Sequence, residues 1–146
     1  MRCVMRGVWV LLAAVGLAWG LNAQAAGVSP ADARQVHAVV AAQLAAFAAD
    51  DAERAYSFAA PNVRRLFPNP GLFMAMVRSG YPVVYRPASV AFLKPERGDD
   101  GSVIQAVQMT DASGDMWLAV YRLQRQPDKA WRISGCDVER NEGHAT

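Results

Sequence analysis

Residues 103–125 read VIQAVQMTDASGDMWLAVYRLQR, and this stretch decides the architecture. Two runs rich in strand-forming residues, 103–110 and 115–125, flank Asp111-Ala112-Ser113-Gly114, a polar turn short enough to join antiparallel neighbours. The same signal recurs on either side, as Gly98-Asp99-Asp100-Gly101 before the first run and Gln126-Pro127-Asp128-Lys129 after the second. Strands are therefore expected near 88–96, 103–110, 115–125 and 130–138. Links this short imply an antiparallel meander, because parallel neighbours need long crossovers. In the run 115–125 both parities are apolar, with Trp117, Ala119, Tyr121 and Leu123 on one face and Met116, Leu118 and Val120 on the other. A strand of that kind asks for cover on both sides.

Upstream of residue 82 the apolar period lengthens from two to between three and four. Ser29-Pro30-Ala31-Asp32 places a capping hydroxyl, a proline for the first helical position and an acid in the first turn. Val36, Val40, Leu44 and Phe47, with Val39 and Gln43 beside them, then form one stripe of a helix running to Asp50. Asp50 and Glu53 read as a capping box for a second helix, which Pro61 is expected to end. Asn62 to Phe67 suits a short helical turn. Asn69-Pro70 opens a further helix, with Phe73, Met74 and Val77 buried and Gly80 as a left-handed stop. Val83 to Arg86 is expected to be extended, since Pro87 disfavours the helical region before it. Helices first and strands afterwards give an α+β fold, in which N-terminal helices pack on a curved antiparallel meander of four to five strands.

The chain has 146 residues, 53% hydrophobic and 19% charged, a balance that suits one small globular domain and excludes collagen-like, coiled-coil and disordered classes. Met1 to Ala25 has the parts of a secretory leader: Arg2 and Arg6, an apolar run from Val8 to Leu21, and Ala23-Gln24-Ala25 as the cleavage signal. The expectation is a leader over 1–25, a single domain over 26–146, and a periplasmic or secreted protein with no membrane span once the leader is cut. Removing the leader leaves 13 basic and 13 acidic side chains, so there is no cationic surplus for nucleic acid. It also removes Cys3 and leaves Cys136 alone, so stability must come from packing rather than from a disulfide within the chain.

Several segments carry a resemblance. Gln43 to Asp51, Ala55 to Pro61, Phe73-Met74-Ala75-Met76-Val77-Arg78-Ser79-Gly80-Tyr81, Pro82 to Pro87 and Trp131 to Cys136 resemble the exported bacterial family catalogued as domain of unknown function 4864. More distantly, the order of a long helix, short helices and a curved meander is similar to the nuclear transport factor 2-like superfamily. That likeness implies a cone-shaped pocket between helix and sheet. The superfamily hosts isomerases, dehydratases, hydrolases and non-catalytic binding domains, so it limits activity little.

No catalytic or metal motif emerges by spacing. His37 lies on the first helix and His144 in the tail, without the short ligand spacings of a metal site. No Gly-x-Ser-x-Gly elbow is present, and Cys136 has an acidic neighbour, Asp137, which does not favour a thiolate. The densest stretch is Tyr81-Pro82-Val83-Val84-Tyr85-Arg86-Pro87, where aromatic walls and one cation suit a small apolar or anionic ligand. Tyr81, Tyr85, Arg86 and Trp117 are thus the expected ligand-binding residues, with no catalytic residue, metal or cofactor implied. The expected role is non-catalytic binding of a small molecule or protein partner. A homodimeric structural or envelope-associated protein built on the doubly apolar strand is one alternative, and an isomerase- or hydratase-like enzyme using a pocket histidine or carboxylate is another.

Overall fold

Ser29 Oγ accepts the Asp32 amide at 3.1 Å and Pro30 occupies the first helical position, so the first helix starts where its capping signal lies. The structure, a computed structural model, describes residues 27–142; the leader expected over 1–25, with Cys3, and His144 lie outside the described residues. Five helices come first: α1 (Pro30–Ala48), α2 (Ala52–Ser57), α3 (Pro61–Leu66), α4 (Pro70–Gly80) and α5 (Pro82–Tyr85). Five strands follow: β1 (Ser89–Phe92), β2 (Glu96–Arg97), β3 (Val103–Thr110), β4 (Met116–Arg125) and β5 (Trp131–Arg140). No helix among the described residues is long and apolar enough to cross a membrane.

The helical half departs from its sequence expectation at three joints. Asp51, not Asp50, caps α2, accepting the Arg54 amide at 3.1 Å. Asp50 instead adopts φ 53°, a left-handed conformation that aspartate tolerates better than most residues. This reverses the chain between α1 and α2. Pro61 opens α3 rather than stopping the previous helix, again as a first-turn proline. Gly80 remains in the last turn of α4 without a positive φ, and Pro82 starts the single-turn α5 where extended chain was expected. Pro87 does hold its predecessor extended, with Arg86 at φ −145° and ψ 76°.

The strands form one open, curved antiparallel sheet in the order β1-β3-β4-β5, with β2 also pairing with β3. The strand expected over 88–96 is therefore two strands. Phe92 faces Val107 whereas Glu96 faces Ile104, so one extra residue lies between the two pairings, and Pro95 within it has no amide to donate. The buried Gln105 side chain fills the gap, donating through Nε2 to Leu93 O at 2.7 Å and Ala106 O at 2.9 Å. The three hairpin turns share one geometry, with a left-handed residue at the fourth turn position: Gly101 (φ 80°), Gly114 (φ 83°) and Lys129 (φ 69°).

Val103, Val107, Met109, Ala119, Tyr121, Leu123, Trp131 and Ile133 form the inner face. They pack beneath Val36, Val40 and Phe47 of α1, Phe73, Met74 and Val77 of α4, and Val83 and Val84 of α5. Near its middle, β5 carries a bulge. Leu123 pairs with Ile133 but Arg122 pairs with Gly135, so Ser134 has no partner across the ladder. From there the inward parity switches from odd to even, and Cys136 and Val138 face inward opposite Tyr121 and Ala119. On the outer face Ile104, Ala106, Leu118 and Val120 remain half-buried.

Candidate functional site

A cavity of about 290 Å³ lies between the helices and β5. Phe47 of α1, Phe73, Met76 and Val77 of α4, Phe67 and Tyr81 wall it, and Ile133 to Asp137 of β5 close its sheet side. Phe73 is the centre of an aromatic cluster, with ring centroids 6.0 Å from Phe47, 5.7 Å from Tyr56 and 6.3 Å from Phe67. That spacing is the usual range for tilted aromatic pairs.

Helix α3 fully buries no side chain; half-buried Val63 packs against the core, and polar contacts also hold the helix beside the opening. The Ala60 amide donates to Ile133 O at 2.8 Å, Asn62 Nδ2 donates to Ser134 O at 2.8 Å, and Tyr56 Oη donates to Phe67 O at 2.7 Å. Two of these anchors attach to β5 at or beside its bulge.

Gln43, Cys136, Tyr121 and Trp131 place polar groups in the interior. Gln43, 3% exposed, donates through Nε2 to Ala55 O at 3.1 Å. The Cys136 thiol is pushed up to about 12, first by burial and second by the negative charge of Asp137, against a smaller opposite pull from Tyr121. It therefore stays protonated through the neutral range and is no nucleophile there. Tyr121 is fully buried, which pushes its phenol well above the ordinary value, and its Oη forms no hydrogen bond of ordinary geometry even though the Cys136 thiol is near. Trp131 Nε1 is the second buried group without a partner among the described residues.

The four residues expected to bind ligand do not share one site. Tyr81 lines the cavity. It also lines a separate groove of about 470 Å³ with Arg86 and Trp117, floored by Pro82, Asp111 and Val138. Trp117 Nε1 donates to Asp111 Oδ2 at 2.9 Å, and the Ser113 and Asp115 amides donate to Oδ1 at 2.9 and 3.0 Å. The Trp117 hydrogen bond is the main reason the Asp111 carboxyl sits below its ordinary range. Tyr85 belongs to neither space.

Tyr85 instead joins a clasp around Asp50. Asp50 Oδ1 accepts from Arg78 Nη2 at 3.0 Å and from Tyr85 Oη, while Oδ2 accepts from Arg86 Nη2 at 2.9 Å. Both guanidiniums lie over the Tyr85 ring, 5.4 Å and 4.9 Å from its centroid. The Tyr85 and Arg78 hydrogen bonds lower the Asp50 carboxyl, in that order. All three charged groups are about half exposed, so the cluster ties the α1–α2 reversal to α4 and α5 in contact with solvent.

His37 is exposed on α1, its ring 4.0 Å from that of Phe92 and away from the cavity. Gln43, Phe73, Met76 and Cys136 are among the cavity residues that sequence reasoning did not assign to a site. Gln43 offered the one usable signal, a polar residue inside an apolar helical stripe.

A family model described as Domain of unknown function (DUF4864) matches residues 29–146. The comparisons with curated proteins and with solved structures return no match.

Proposed function

The chain belongs to the DUF4864 family, and from that premise we propose that it is an exported domain that binds a small molecule, without catalysis, in the cavity between its helices and β5. The observation that carries this reading is the cavity itself. It is aromatic-walled, of a size at the small end of ligand sites, and lined by a protonated thiol and an amide rather than an acid–base pair. The order of helices and curved sheet is similar to the nuclear transport factor 2-like arrangement, whose pocket occupies the same place between layers, and this supports the assignment. Export to the periplasm or medium is proposed on the leader-like residues 1–25.

A metabolite screen by thermal shift tests the proposal. A ligand at about a hundred times its dissociation constant adds about 2.7 kcal/mol of stability. Met76→Trp, which fills the cavity with an indole, should remove the shift. If no compound stabilises the protein, or if Met76→Trp responds as fully as the parent, the cavity is not the binding site.

The outer face of the sheet favours a second reading, a homodimer. Ile104, Ala106, Leu118 and Val120 are half-buried apolar residues of that face, with Arg122 opposite Ile104, Asp137 opposite Val120 and Glu139 opposite Leu118. Light scattering at micromolar protein, with Val120→Arg as the control, should show a dimer that the variant dissociates. A monomer in both ends this reading.

A further inference from the structure

Between the N-terminal half of α1 and the link from β1 to β2 lies a groove of about 450 Å³, at the opposite edge of the sheet from β5 and the cavity. Arg34 and His37 line it from the helix, and Lys94 with Pro95 from the link. Three residues apart, Arg34 and His37 share one face of α1. The His37 ring lies 4.0 Å from that of Phe92, so this face is turned towards β1. No aspartate or glutamate lines the groove. Among the described residues, the side chains of Arg34, His37 and Lys94 enter no hydrogen bond or ion pair. Asp32, the acid of α1, is turned to Arg97 at 3.8 Å and Arg125 at 3.3 Å. Glu96 pairs with Ile104 on the outer side of the sheet and forms no ion pair with Lys94. At the floor is Gln105, 1% exposed, whose Nε2 donates to Leu93 O and Ala106 O and whose Oε1 has no donor among the described residues.

We infer that this groove takes a small phosphate monoester, its phosphate among Arg34, His37 and Lys94 and a hydroxyl of its alcohol part donated to Gln105 Oε1. A guanidinium offers a planar fork of N–H donors, an ammonium three and an imidazole at least one, so donors from both walls meet an oxygen-rich anion. A phosphate monoester is close to doubly charged near neutral pH and answers both full cations, where a carboxylate answers one. Empty, the groove sets Arg34 and Lys94 against each other with no acid between them, and a bound anion turns that repulsion into attraction. The site is separate from the cavity, so its failure would leave the cavity reading untouched.

Isothermal titration at low ionic strength near neutral pH, with glycerol 3-phosphate, glycerate and glycerol as probes, tests this. The phosphate should bind about tenfold tighter than the carboxylate, the neutral alcohol should show no binding, and added sodium chloride should weaken the phosphate. Propyl phosphate, which lacks the hydroxyls, should bind more weakly than glycerol 3-phosphate. Arg34→Gln and Lys94→Gln, both at exposed positions, should melt with the parent and each weaken the phosphate about tenfold. Arg65→Gln removes the same charge from exposed α3, outside the groove, and should change nothing. Phosphatidylcholine vesicles with and without phosphatidic acid separate a lipid headgroup from a soluble ester. Binding to the phosphatidic acid vesicles without binding to glycerol 3-phosphate overturns the small-ligand assignment. Glycerate as tight as glycerol 3-phosphate overturns the preference for phosphate, and propyl phosphate as tight overturns the Gln105 contact. Full binding by Arg34→Gln and Lys94→Gln, or an equal loss in Arg65→Gln, overturns the site.

Discussion

Alkaline pH should unfold this protein through Cys136. The thiol is held near 12 in the folded chain, against an ordinary value of 9.0, because burial penalises the thiolate and Asp137 repels it. Above pH 9 the unfolded chain loses this proton while the folded chain keeps it. The unfolded state then binds fewer protons, so stability falls as pH rises. The contribution is fully present below about pH 9 and is lost progressively up to about pH 12, at a limiting slope of about 1.4 kcal/mol per pH unit. Between about pH 8 and about pH 10.5 the loss from this one group comes to about 2 kcal/mol. Tyr121, buried and raised in the same direction, adds to the slope above its ordinary value of 10.0. Urea denaturation followed by circular dichroism, at several pH values across this window, measures the effect as midpoint times slope. Cys136→Ala should be less stable at neutral pH, having lost a buried side chain, yet its stability should decline less steeply above pH 9. Parallel profiles for the two proteins would refute the argument, since they would show the thiol ionising equally in both states.

Tyr121→Phe removes a buried hydroxyl that has no ordinary hydrogen bond, so stability by thermal denaturation should hold or rise by about 1 kcal/mol. A loss of similar size would reveal a partner for Oη. Lys129→Gly should stabilise by about 1 kcal/mol, because lysine there occupies the left-handed position that glycine fills in the other two hairpins. An unchanged urea midpoint would contradict this. Asp50→Ala should speed amide hydrogen exchange across α4 and α5 by undoing the clasp with Arg78, Tyr85 and Arg86, whereas unaltered exchange would show that the clasp contributes nothing. Phe47→Ala should cost about 3 to 5 kcal/mol through lost burial and an enlarged cavity, and a smaller loss would mean that the site collapses around the deletion.

Elements set by local chemistry were legible from sequence. Ser29-Pro30 and Asn69-Pro70 start helices α1 and α4, and the polar turns after residues 97, 110 and 125 bound β3, β4 and β5. What was not legible depended on distant partners. Asp50 and Asp51 are both able to cap a helix; Asp51 takes that role while Asp50 meets Arg78 and Arg86 from α4 and α5. The wall of the cavity was not legible for a related reason. Cys136 belongs to the cavity wall only because of the bulge at Ser134, where strict alternation from Trp131 and Ile133 would have turned Gly135 and Asp137 inward instead. Tyr81, Arg86 and Trp117, singled out from composition, line one groove, whereas Tyr85 is drawn into the clasp by a carboxylate far away in the chain.

In the proposed binding role, helix α3 is the segment beside the opening with the weakest hold on the core. It contributes no fully buried side chain, and its hold on the rest is the half-buried Val63 against the core with a few hydrogen bonds to β5 and to the α2 region. Segments of that kind open locally at free energies far below global unfolding. Guest exchange would then be timed by the fraying of Pro61–Leu66 rather than by diffusion to the surface, so arrival and departure should quicken together when Asn62 loses its grip on Ser134, with little change in the equilibrium between them.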